Sequence, residues 1–128
     1  MKDEAAVSNM YPDYEAINSI SEEYDLIGYY IFTEATRMPG RDAGTRMFAP
    51  RFGIKEEAAT GMAAGPLACF LYDKMKRDKN IFVIEQGNLM TPVSPSVITV
   101  KLTLTNQKIN TLMAGGEAKT TQSMTVSI

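Results

Sequence analysis

An α+β fold with a mostly antiparallel sheet in its second half is predicted by three features of the sequence. Residues 96–105, SVITVKLTLT, alternate strictly: Ile98, Val100, Leu102 and Leu104 fall on one face, Thr99, Lys101, Thr103 and Thr105 on the other. That is the period-two signature of a half-buried strand. Residues 62–77 form an apolar stretch of helical length that closes on Lys74, Lys76 and Arg77, and positive charge there complements the helix dipole. The remaining apolar runs are short and punctuated by Pro, Gly and Asn, which reads as strands and turns. The predicted order is helix, two strands, helix, four strands.

Pro12 followed by DYEAINSISEEY opens the first helix, with acids near the positive end of its dipole. Tyr14, Ile17, Ile20 and Tyr24 recur at helical spacing and are expected to form its buried stripe. LIGYYIFTE (26–34) and TRMFAP (45–50) read as strands flanking the loop TRMPGRDAG, and RFGIKEEAATG as a connection into the second helix. IFVIEQ (81–86) is the next strand, ended by Gly87-Asn88. Asn106-Gln107 turns strand 96–105 into KINTLMAGG (108–116), and AKTTQSMTVSI (118–128) supplies a last strand.

With 128 residues, one domain spanning 1–128 is the expectation. A net charge of −2 with no Lys/Arg block lacks the electrostatic footprint of a nucleic-acid binder. No run approaches the roughly 20 apolar residues of a membrane span, and the acidic start lacks a secretory h-region, so a cytoplasmic location is expected. Cys69 is the only cysteine and there is no histidine. Ser-His-Asp and Cys-His catalysis and the usual zinc ligand sets are therefore unavailable. Acid/base chemistry must come from carboxylates, Lys, Tyr or Cys.

Residues 56–71, EEAATGMAAGPLACFL, run two carboxylates into a cluster of small residues. Pro66 is best tolerated in a first helical turn, which places the helix start near Met62–Ala63 with Thr60 as a cap. A helix mouth wrapped in Gly and Ala offers free N–H groups and a positive dipole end to an anion; the spacing Gly61-xxx-Gly65 fits close packing equally well. Glu56 and Glu57 fit a solvated pair, or one of them a general acid or base. Cys69 fits a small core residue, and the nine methionines fit core filler.

From Arg46-Met-Phe-Ala-Pro50 through Gly53-Ile54, Glu56-Glu57 and Thr60-Gly61 to Ala63-Ala64-Gly65, the chain resembles the signature of the phenazine-biosynthesis PhzF-like isomerases. The likeness continues in Glu85-Gln86-Gly87, Met90, Pro95-Ser96 and Ala114-Gly115-Gly116. It covers the C-terminal half of a family whose members are roughly twice this length, so a single domain without the family's N-terminal one is the expectation. The resemblance implies a diaminopimelate-epimerase-like domain, a curved sheet around a central helix, with the active site between two such domains at facing helix mouths.

The chemistry it implies is proton transfer without a cofactor or metal, giving an isomer of a small carboxylate-bearing metabolite. Glu57 falls where the family motif has an Asp, and Met62 where it has a Ser; Thr60 and Gly61 match, and the family's principal acid/base Glu belongs to the N-terminal domain. Glu57 is then the catalytic candidate, and Thr60, Gly61, Met62 and Ala63 the substrate-binding candidates. Half a site calls for a second chain, either another copy in a homodimer or a separate N-terminal half. A domain that holds a small carboxylate without turnover, or an inactive remnant, is the competing reading.

Overall fold

The computed structural model describes residues 1–120 and 122–126. Its elements are helices α1 (Glu4–Ser8) and α2 (Tyr14–Glu23), strands β1 (Tyr29–Thr33), β2 (Ala43–Ala49) and β3 (Ile54–Glu57), helix α3 (Gly61–Asp73), and strands β4 (Ile81–Gln86), β5 (Ser96–Thr105) and β6 (Lys108–Gly115). The six strands form one mixed sheet in the order β1-β2-β4-β5-β6, with β3 pairing β2 beyond the end of β4. Only β2 and β4 run parallel, Ala43 beside Ile84 and Thr45 beside Gln86. Such a pair needs a crossover, and α3 lies in it.

The sheet curls round α3. Ala64, Leu67, Ala68 and Leu71 of the helix pack on Phe82 and Ile84 of β4 and on Ile98, Val100 and Leu102 of β5, all in one buried cluster with Ala43. Small residues on α3 let the strands close in: a Cβ on Gly65 would lie 3.0 Å from Leu112 Cδ1 of β6. The close-packing reading of Gly65 is therefore the one the fold uses. β5 and β6 join at Asn106-Gln107, both at positive φ (51° and 63°), the tight hairpin turn whose twist matches the strands.

Several expectations need correction. α1 and β3 have no counterpart in the sequence pattern. Five residues are too few to show a period, and IKEE carries too many charges to read as a strand until it pairs with β2. α3 starts at Gly61 and ends at Asp73, so Pro66 is its sixth residue, and Lys74, Lys76 and Arg77 lie beyond its last turn. Lys76 at φ 57° turns the chain away from the helix, and Arg77 instead grips Glu34 at 2.6 and 3.0 Å.

The expected buried stripe of α2 is half open. Tyr14 meets Phe48 edge-on at 6.3 Å, but Ile20 and Tyr24 are 41% and 65% exposed. The helix touches β2 and the 3-10 turn Pro50–Phe52 along one side, and Ser21 is its only buried residue. Residues 118–120 and 122–126 carry no strand; Thr121, Ser127 and Ile128 of the expected last strand lie outside the described residues.

Candidate active site

The two neighbouring glutamates have different surroundings because alternate strand residues face opposite ways. On β3, Glu56 meets Arg46 of β2 in a two-pronged ion pair, Nε–Oε1 2.6 Å and Nη2–Oε2 2.9 Å, with side chains only 9% and 7% exposed. The carboxylate is committed to the fold. Glu57 is half-buried at the mouth of α3, and its Oε2 accepts a single hydrogen bond, from Thr60 Oγ1 at 2.7 Å. Among the described residues Oε1 has no hydrogen-bond partner.

Thr60 is the residue before α3, but its hydroxyl does not cap the helix. Its carbonyl accepts from Ala63 and Ala64 N–H at 3.1 and 3.0 Å, and its own N–H donates to Gln86 Oε1 at 3.0 Å. Of the four substrate-binding candidates, only Gly61 and Met62 therefore retain amides without an acceptor among the described residues. Both are exposed, Met62 at 79%. Two free N–H groups at a positive dipole end suit one carboxylate.

An apolar cavity of about 280 Å³ opens beside Glu57, walled by Ile27, Met47, Phe52, Ile54 and Met62, with Tyr30 and Thr60 as its other polar edge. On the other side of Gly61 a broader groove of about 1060 Å³ runs past Ser96, Ala114 and Gly115. Segments far apart in sequence thus meet at one helix mouth. Ser96 Oγ fixes the approach to it by donating to Ala58 O at 2.6 Å.

Sequence reasoning gave no role to Gln86 or Tyr30. Gln86 is fully buried and makes four hydrogen bonds at the helix mouth, one of them from Tyr30 OH at 3.0 Å. The available signal was a polar residue at an inward position of β4, after Phe82 and Ile84. Cys69 is half-buried in α3, and burial, reinforced by Asp73, pushes its thiol up. That is the opposite of thiolate activation, and it fits the core reading.

Burial also pushes the Tyr30 hydroxyl up from 10.0 to about 12, with partial relief from Thr45. A raised value means that Tyr30 keeps its proton in the fold while the unfolded chain loses it above pH 10. Stability complete below pH 10 should then fall as pH rises toward 12. The expected loss between pH 9 and 11.5 is about 2 kcal/mol. Urea midpoints across that range should show it, and Tyr30→Phe should flatten the dependence.

Residues 1–123 match the family described as "Phenazine biosynthesis-like protein" (PhzC-PhzF). The chain belongs to that family. Within it, 67 residues are 42% identical to the trans-2,3-dihydro-3-hydroxyanthranilate isomerase of Pseudomonas chlororaphis, over 52% of this chain and 21% of the relative. The uncharacterized isomerase YddE of Escherichia coli K12 is 26% identical over 121 residues, 92% of this chain and 40% of YddE. The PhzF-family phenazine biosynthesis protein of Bacillus anthracis superposes with a TM-score of 0.70 at 19% identity, covering 91% of this chain and 40% of that one. A second, from Clostridium difficile, gives 0.59 over 93% and 43%. The chain thus shares the PhzF fold, a curled mixed sheet around a helix, and spans between a fifth and about two fifths of these relatives. No helix among the described residues is long and apolar enough to cross a membrane.

Proposed function

We propose that this PhzF-family chain supplies one half of a cofactor-free proton-transfer site, isomerising a small carboxylate-bearing metabolite together with a second chain. The observation that carries this reading is the pairing at the mouth of α3: among the described residues, a carboxylate with one unengaged oxygen, Glu57, beside the acceptor-free amides of Gly61 and Met62. The amides hold the substrate carboxylate. Glu57 removes a proton from a nearby carbon and returns it at another, moving the double bond. The apolar wall beside Glu57 shields the reacting carbon from water. The relatives named as isomerases support the reaction type.

The second chain is another copy or a separately encoded N-terminal half, and 1–128 acts as the C-terminal domain of the pair. In a two-fold dimer two copies of the Glu57 site would face each other. Two carboxylates at close range do not both ionise easily, which yields an acid and a base from one residue type. Met62 favours the alternative of binding without turnover, because a thioether stands where the family pattern has a hydroxyl.

Trans-2,3-dihydro-3-hydroxyanthranilate, the compound in the Pseudomonas relatives' names, is incubated in D2O with the purified chain at a concentration where light scattering shows its mass. Deuterium uptake into recovered compound by a dimer supports self-completion. A monomer that broadens the Gly61 and Met62 amide signals with the same compound, yet exchanges no deuterium, is a binding domain. No uptake and no binding, with a partner half added as well, removes the proposal for this substrate.

A further inference from the structure

Gln86 reaches the helix mouth with its side-chain amide fully enclosed, and the groups around it fix which way it points. A backbone N–H can only donate and a backbone carbonyl can only accept. Oε1 therefore faces Thr60 N–H at 3.0 Å, and Nε2 donates one proton to Glu57 O at 2.6 Å. The second Nε2 proton goes to Thr60 Oγ1 at 2.9 Å. Having accepted there, the Thr60 hydroxyl sends its own proton to Glu57 Oε2 at 2.7 Å. Tyr30, which burial keeps protonated, donates to Gln86 Oε1 at 3.0 Å and completes the set.

We propose that Gln86 is a positioning residue for Glu57: it orients the Thr60 hydroxyl so that Oε2 is always a hydrogen-bond acceptor and Oε1 alone carries the exchangeable proton. The consequence is regiochemical. A carboxyl free to use either oxygen would deliver its proton from two positions; this one delivers it from one, on the side away from Thr60. Without Gln86 the Thr60 hydroxyl can turn elsewhere, and Glu57 loses the contact that sets its rotamer. The role in catalysis rests on the proposed function, but the hydrogen-bond arrangement does not require turnover to be observed.

The test is solution NMR on the isotopically labelled chain. The wild type should show a slowly exchanging Thr60 hydroxyl proton with a cross-peak to the Glu57 side chain, and Glu57 couplings of a single rotamer. In Gln86→Met that hydroxyl should exchange with water about tenfold faster or more, while the Ala64 amide of α3 stays within about twofold of wild type. Gln86→Glu keeps the volume and an acceptor for Thr60 N–H and Tyr30, and in its ionised form it cannot donate. It serves if the first variant does not fold. It should reverse the Thr60 hydroxyl, removing the cross-peak to Glu57 and averaging the Glu57 couplings.

An absent hydroxyl signal in the wild type, or one that persists in a folded Gln86 variant, overturns the assignment. Where the wild type turns over, Gln86→Glu should lower kcat about tenfold or more with KM within about twofold; an unchanged kcat also overturns it. A wild type with the hydroxyl signal but no isomerisation counts against the proposed function and leaves the Gln86 assignment supported.

Discussion

Replacing Glu57 with glutamine is expected to lower the rate of deuterium exchange into substrate by about 10²–10⁴-fold, the range carried by one positioned acid/base group. Glutamine keeps the shape and leaves an oxygen to accept from Thr60 Oγ1, which now contacts Glu57 at 2.7 Å. The fold should therefore hold: among the described residues half-buried Glu57 is in no ion pair, so the unfolding free energy from urea titration should change by no more than about 0.5 kcal/mol. Binding of the substrate carboxylate to the Gly61 and Met62 amides should survive, so the loss should fall on kcat and not on KM. Glu56 cannot take over, because both of its oxygens are held by Arg46. If exchange in Glu57→Gln matches the wild type, the acid/base group lies on the second chain, and this chain's part is to bind.

Much of this arrangement could be read from the sequence where one residue pattern decides the structure. The alternation of 96–105 predicts β5 from Ser96 to Thr105, as found, and IFVIEQ predicts β4, because an inward apolar face is visible in a single strand. Glu57 and Thr60 could be named because they sit in a short contiguous motif. The parts not legible depend on partners distant in sequence. Arg46 and Glu56 are ten residues apart and meet only because the chain doubles back through Pro50–Phe52. Gln86 looks like a polar strand end until Thr60, 26 residues away, arrives to receive it. Ile20 and Tyr24 have the helical spacing of a buried stripe, but periodicity records which side is apolar and not whether another element covers it.

The same distant pairing makes Arg46 the position where a single substitution should cost the fold most. Its guanidinium spends Nε and Nη2 on Glu56, and Nη1 on the carbonyls of Val7, Ser8 and Met10 at 3.0, 3.3 and 2.8 Å. It also lies 4.9 Å from the centre of the Phe48 ring. One side chain thus ties the end of α1 and the chain after it to β2 and β3. Arg46→Met preserves much of the apolar volume but strands a buried carboxylate and removes the guanidinium donor from three carbonyls, of which Val7 O keeps the Met10 N–H at 3.4 Å. The expected destabilisation is about 3–5 kcal/mol, a large share of the roughly 5–15 kcal/mol that holds an ordinary domain. Arg46→Lys should recover less than half of it, since an ammonium cannot satisfy both oxygens of Glu56 and the carbonyls together. Arg46→Met combined with Glu56→Leu should be more stable than Arg46→Met alone, because the stranded charge is gone. Urea unfolding of the three variants measures these differences, and a cost below about 1 kcal/mol for Arg46→Met would contradict the account. Glu56 is the residue before Glu57, so loosening the ion pair should also release β3 and displace the Glu57 carboxyl. Arg46→Met should therefore lose exchange activity even at temperatures where it remains folded, whereas Glu57→Gln should lose activity with its stability intact.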